Sequence, residues 1–70
     1  MIRYETTVVL CRKSDRQLIQ VHVNLPRGAV IDKFLRAKLG MDNGVMSLGV
    51  WNANLDEYRV MGITDTKMWV

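Results

Sequence analysis

The clearest pattern in the chain is a change in the spacing of apolar residues within residues 17–40. Apolar and polar residues alternate at first, as in a strand with one buried face, and the apolar ones are Ile19, Val21, Val23 and Leu25. Further on, the apolar residues recur every three or four positions, at Val30, Ile31, Phe34, Leu35 and Leu39. That second spacing is typical of an amphipathic helix. Together they predict a sheet that is covered on one face by a helix.

Two residue types locate the junction between this strand and this helix. Pro26 has a fixed φ and pushes Leu25 towards an extended conformation, so the strand is expected to end there. Gly28 allows the chain to bend into a helix over residues 29–39. Gly40 then stands where a left-handed C-terminal cap is expected.

The segments on either side of this unit predict further strands and turns. Arg3–Arg12 is rich in β-branched residues and predicts a first strand, whose face towards the helix carries Tyr4, Thr6, Val8 and Leu10. Residues 13–16 are polar and suit a hairpin connection to the second strand. After the helix, we expect turns at residues 42–44, 52–54 and 62–66 and strands at residues 45–51, 58–61 and 67–70.

This order of elements predicts a single α+β domain over residues 1–70 with a β-grasp-like arrangement, ββαββ(β). A chain of 70 residues has room for one hydrophobic core. In the predicted mixed sheet the last strand lies beside the first and runs parallel to it, and the helix packs on one face. Met68 and Val70 would then join the core beside Val8 and Leu10.

Composition narrows the classes of protein to consider. No stretch approaches the roughly 18 apolar residues that a membrane helix needs, and the first residues do not indicate a secretory signal. Cys11 is the single cysteine, which excludes an internal disulfide and a zinc site with several thiolates. We therefore expect a cytoplasmic protein without a cofactor. The net charge of +3 comes from ten Lys and Arg against seven Asp and Glu, spread without blocks, and indicates solubility more than a partner.

Three short motifs resemble a known family. They are Asp15-Arg16-Gln17, the step Leu25-Pro26-Arg27-Gly28-Ala29-Val30 into the helix, and Leu48-Gly49-Val50-Trp51. Most of the chain is in this way similar to the small bacterial ubiquitin-like proteins of the RnfH family and, more distantly, to the sulfur-carrier proteins of thiamine and molybdopterin synthesis. The resemblance implies a β-grasp fold.

The chain departs from the sulfur carriers at its last residues. Those proteins and the conjugated ubiquitin-like modifiers end in a flexible Gly-Gly whose carboxylate is activated. This sequence ends in Lys67-Met68-Trp69-Val70. We therefore expect that activation chemistry to be absent, unless a processed tail has been removed.

Candidate catalytic and metal-binding residues are few. His22 is the single histidine, and the alternation places it on the solvent side of the second strand with Gln20. A general base or a metal ligand needs partners within hydrogen-bonding or coordination distance, and no such motif accompanies it. Cys11 lies on a strand away from the helix N-terminus, where its thiol pKa would most readily be lowered. This position favours a small, half-buried structural residue over a reactive thiol. We expect neither an enzyme nor a metal site.

The face of the sheet turned away from the helix is the predicted interaction site. If the even-numbered residues of the first strand face the helix, the odd-numbered ones face outward. The predicted protein-binding residues are Val9, Cys11, Gln20, His22 and Trp69, with Trp69 close to Val9 under parallel pairing. We expect an adaptor or inhibitor that binds an unidentified partner protein, and a homodimer through this surface competes with that interpretation.

The basic residues support a second hypothesis from another class, a small nucleic-acid-binding protein. The cations concerned lie at the predicted hairpin tip and on the helix, and they are Arg12, Lys13, Arg16, Lys33 and Arg36. Trp51 or Trp69 could stack on bases. The competing interpretation of the same cations is solvated surface charge.

Overall fold

The structure is a computed structural model that describes the backbone of residues 3–69 and the side chains of residues 4–66. Two strands and a helix come first, followed by three more strands. The elements are β1 (Arg3–Arg12), β2 (Leu18–Val23), α1 (Arg27–Lys38), β3 (Val45–Leu48), β4 (Trp51–Asn54) and β5 (Tyr58–Trp69). The predicted α+β class is confirmed.

The strands form a three-stranded sheet in the order β2-β1-β5 and a separate hairpin of β3 and β4, and every pairing among residues 3–69 is antiparallel. The predicted mixed sheet with a parallel last strand is therefore wrong, and the β-grasp arrangement is not confirmed. The point at which β5 enters the sheet sets its direction. The Lys13 amide donates to the Glu57 carbonyl at 2.9 Å, so β5 starts beside the β1–β2 turn and runs back along β1.

β5 is one strand where the sequence predicted two strands and a connection. Two β-bulges, both of which insert an extra residue into β5, interrupt its register with β1, one at Met61 and one between Asp65 and Met68. Val60 and Ile63 lie opposite Leu10 and Val8. These are the core places predicted for Met68 and Val70; Met68 instead pairs with Tyr4 through its backbone, and Val70 lies outside the described residues.

The core lies between β1, β2, α1 and the β3–β4 hairpin. Its fully enclosed members include Val8 and Leu10, as the alternation along β1 predicted, and Val21 and Val23 of β2 join them. The remaining buried apolar residues are Val30, Ala37, Met46, Leu48 and Ala53. Thr6 is also fully buried, and its hydroxyl donates to the Leu25 carbonyl at 2.7 Å, which ties β1 to the segment between β2 and α1.

Helix α1 begins two residues earlier than predicted, so Gly28 lies inside the helix and not in a bend before it. At the other end the predicted cap is confirmed, because Gly40 has a φ of +77°. The Gly40 amide donates to the Ala37 carbonyl at 3.1 Å and the Met41 amide to the Arg36 carbonyl at 2.9 Å, which is the Schellman pattern. The predicted apolar stripe is narrower than expected, since two of its leucines, Leu35 and Leu39, are 48% and 75% exposed.

The β3–β4 hairpin replaces the single strand predicted over residues 45–51. Its turn is at Gly49 and Val50, in the middle of that segment, and Gly49 has a φ of +79°. The predicted turn at residues 52–54 is instead part of β4, because Ala53 is fully buried opposite Met46. The turn predicted at residues 42–44 is confirmed, with positive φ at Asn43 and Gly44.

Candidate functional site

One face of the β2-β1-β5 sheet points away from α1 and from the β3–β4 hairpin, since both of these pack on the side of the even-numbered β1 residues. We call the other side the open face. It presents Thr7, Val9 and Cys11 of β1, Leu18, Gln20 and His22 of β2, and Arg59, Met61, Thr64 and Thr66 of β5. The predicted outward positions of Val9, Cys11, Gln20 and His22 are thus confirmed.

A chain of hydrogen bonds crosses the centre of the open face. The Thr7 hydroxyl donates to the Thr66 hydroxyl at 2.9 Å, and its oxygen also lies within hydrogen-bonding distance of His22 Nδ1, at 3.1 Å. The ring centroid of Tyr4 lies 5.3 Å from that of His22, so the prediction that Tyr4 faces the helix with Thr6, Val8 and Leu10 is wrong. His22 is therefore held on two sides, by Thr7 and by Tyr4, although it is exposed.

Exposed apolar side chains flank the half-buried Val9 and Cys11. Leu18 lies opposite Cys11 on β2 and is 63% exposed, and Met61 of β5 is 56% exposed. Sequence reasoning did not assign either residue to the site. Leu18 could have been assigned from the sequence, because it lies an even number of positions from Gln20 and from His22 and therefore shares their face of β2. Met61 could not be placed because it lies in a bulge of β5.

A groove of about 400 Å³ opens at one end of this face. Its floor and rim combine two sulfur-containing side chains with cations, and the lining residues are Cys11, Lys13, Arg16, Arg59 and Met61. The Lys13 ammonium donates to the Leu55 carbonyl at 3.1 Å. Within residues 4–66 the guanidinium groups of Arg16 and Arg59 have no hydrogen-bond or ion-pair partner, so this end of the face is locally basic. Arg59 is a further residue that the sequence analysis missed.

The cations proposed for nucleic-acid binding are divided between two sides of the molecule. Lys33 and Arg36 belong to α1, on the far side of the sheet, and Arg36 pairs with Asp42 at 3.8 Å. Arg12 pairs with Asp15 at 3.3 Å at the hairpin tip.

Trp51, which was proposed as a stacking platform for bases, packs within the fold. Trp51 is half-buried, and its ring centroid lies 6.1 Å from that of Tyr58. No specific observation favours the nucleic-acid hypothesis.

Trp69 does not lie where the sequence analysis placed it. Its backbone pairs with Arg3, whereas Val9 pairs with Gly62. Six positions along a strand correspond to about 20 Å, so the prediction that Trp69 lies close to Val9 is wrong. The side chain of Trp69 is outside the described residues, and its proposed role in binding stays a prediction.

The described residues offer neither a metal site nor a membrane-spanning helix. Among the described residues, no group of three or more His, Cys, Asp or Glu side chains could hold a metal ion. No helix in this part of the chain is long and apolar enough to cross a membrane. No protein-family model, curated protein or solved structure matches the chain. The resemblance to the RnfH proteins therefore stays a prediction, and what the protein binds has to be inferred from the open face.

Proposed function

We propose that this chain is a small non-catalytic protein-interaction module, an adaptor or inhibitor, that binds a partner protein through its open face. The observation that carries the proposal is the pair of exposed apolar side chains, Leu18 and Met61, on either side of half-buried Cys11. An apolar centre with polar groups around it is the usual anatomy of a protein-binding patch. His22 and Gln20 supply the polar border.

The expected energy of such an interface follows from the exposed surface. Full burial of a leucine or methionine stabilises by about 1.5–3 kcal/mol, so burying what Leu18 and Met61 still expose gives about 1–2 kcal/mol for each residue. Part of that energy is offset by the loss of translational and rotational freedom on association. We therefore expect these two side chains to act as anchors and not to account for the whole affinity.

The groove at the end of the open face indicates the chemistry of the partner. Lys13, Arg16 and Arg59 give this end a positive charge beside the apolar anchors. A partner with acidic side chains at the matching position would associate faster, and its binding would weaken as salt is added.

The first experiment is affinity capture from a cytoplasmic extract with three forms of the chain, namely wild type, Leu18→Asn and Leu39→Asn. Leu39 is a matched control because it is 75% exposed but lies beyond α1, away from the open face. We expect a partner that wild type and the Leu39 variant capture and the Leu18 variant loses. Equal capture by both variants would rule out the open face. Trp69→Ala in the same experiment tests the predicted role of Trp69.

Affinity measurements with the purified partner then separate the apolar from the electrostatic contribution. We expect Leu18→Asn to raise the dissociation constant at least about fivefold, which corresponds to a loss of about 1 kcal/mol of binding free energy. Arg59→Gln should slow association and flatten the salt dependence, whereas Arg36→Gln, which removes a cation from α1, should do neither. Identical salt dependence for the two arginine variants would contradict the acidic partner but leave the apolar anchors in place.

A further inference from the structure

Within residues 3–69 the outer edge of β2 has no strand paired to it. β2 has six residues, Leu18–Val23, and pairs with β1 on one side only. Among the described elements, no helix or strand other than β1 runs alongside it. Backbone N–H and C=O groups on such an edge are free to pair with another strand.

The hairpin geometry tells which backbone groups point outward. The Arg12 amide donates to the Gln17 carbonyl at 2.9 Å, so Arg12 and Gln17 take the place of a hydrogen-bonded pair in the ladder, although the Gln17 amide itself donates to Asp15 Oδ1. Such pairs alternate with non-hydrogen-bonded pairs along an antiparallel ladder. The β2 residues in the second class are Leu18, Gln20 and His22, whose partners are Cys11, Val9 and Thr7. Their backbone N–H and C=O groups therefore point away from β1.

The two edges of the sheet differ in how they are protected. On β5 the strand is interrupted by two bulges, and the Arg27 side chain at the start of α1 donates to the Ile63 carbonyl at 3.0 Å. Bulges and covering elements are the usual means of blocking edge pairing. β2 contains no charged residue, no proline and no bulge in its register with β1. It is the edge that is suited to accept a strand.

We propose that the occupant is a second copy of this chain, paired antiparallel to β2 about a twofold axis that passes beside Gln20. The outward groups fix this register, because Gln20 then faces Gln20 and Leu18 faces His22 in hydrogen-bonded pairs. Ile19 faces Val21 of the second copy, which covers the partly exposed Ile19 with an apolar side chain. The paired segment Leu18–Val23 contains no Lys, Arg, Asp or Glu, so no like charges meet along it.

The inference goes beyond the proposed function, because it concerns the edge of the sheet and leaves the open face free. Pairing would join two three-stranded sheets into one six-stranded sheet, whose open faces form a continuous surface with two copies of each anchor. The partner protein could then be bound twice by one dimer.

The test measures the molar mass of the full chain in solution. We expect twice 8.1 kDa for wild type by sedimentation equilibrium. Gln20→Lys and Gln20→Glu should each be monomeric, because two like charges would face each other at the axis. An equimolar mixture of the two variants should recover the dimer. Ser47→Lys, which adds the same charge on an exposed position of β3, should remain dimeric.

Amide hydrogen exchange on wild type provides a second measurement that needs no variant. The amides of Leu18, Gln20 and His22 should exchange slowly at high protein concentration and faster on dilution. The amides of Ile19 and Val21, which bond to β1, should be protected at both concentrations. A monomeric wild type at all concentrations, fast exchange of the three outward amides, or two Gln20 variants that stay dimeric alone would each overturn the proposal.

Discussion

Two glycines at opposite ends of α1 should change stability in opposite directions when each is replaced by alanine. Gly28 lies within α1 and does not have a positive φ, whereas Gly40 follows the helix with a φ of +77°. A Cβ added at either position meets no atom within 4 Å. Steric clashes therefore do not contribute to either change in stability. The remaining contributions are the backbone conformation in the folded state and the conformational freedom of the unfolded chain.

The magnitudes follow from these conformations. A residue with a Cβ pays about 1–2 kcal/mol for the left-handed conformation, and alanine recovers about 0.4–1 kcal/mol by restricting the unfolded chain. Gly40→Ala should therefore lower the free energy of unfolding by about 1 kcal/mol. At Gly28 only the favourable part applies, so Gly28→Ala should raise it by about 0.5 kcal/mol.

Urea unfolding monitored by circular dichroism, at one protein concentration for all variants, measures both effects. With a slope of about 1 kcal/mol per molar urea, the midpoint should fall by about 1 M for Gly40→Ala and rise by about 0.5 M for Gly28→Ala. Gly40→Asn should lose less than Gly40→Ala, since asparagine tolerates a positive φ. Midpoints that shift in the same direction for the two alanine variants would show that the φ of Gly40 does not control the cap.

Two further predictions concern the core. Leu10→Ala should lower the free energy of unfolding by about 2–5 kcal/mol because Leu10 is fully buried. Leu39→Ala, at an exposed position, should change it by no more than about 0.5 kcal/mol. Equal losses for the two variants in urea unfolding would contradict the described core. Thr6→Val should lower the free energy of unfolding by about 1–3 kcal/mol, because the Leu25 carbonyl loses its buried donor. Thr6→Ser keeps the hydroxyl and should therefore lower it less. A thermal midpoint of Thr6→Val equal to that of wild type would exclude this role of the hydroxyl.

The first half of the fold could be predicted from local pattern because each element there has a strong period. The alternation of Ile19, Val21 and Val23 identified β2 and its buried side, and Gly40 identified the end of the helix. The helix was predicted to start two residues too late because Gly28 was expected to form a bend before it, whereas Pro26 is the N-cap and the helix begins at Arg27.

The second half could not be predicted because tertiary contacts override local preference there. Asn52 and Asn54 favour turns, yet they lie in β4 since Ala53 between them fills a gap opposite Met46. The direction of β5 depends on where the chain re-enters the sheet, which no local pattern encodes. Arg59 joins the candidate site because β5 is antiparallel to β1, and Met61 joins it because of the bulge in β5, so neither could be assigned from local pattern.

The pairing of β1 with both of its neighbours has a kinetic consequence. β2 follows β1 after a short turn, but β5 is the last strand of the chain, so the central strand joins residues from opposite ends of the sequence. Contacts of such high sequence separation slow folding, because the loop must close before the pairing stabilises it. During synthesis the β1–β2 hairpin is complete first and exposes an unpaired edge of β1 until β5 arrives. Any factor that delays the last residues therefore prolongs a state that is prone to associate with other chains.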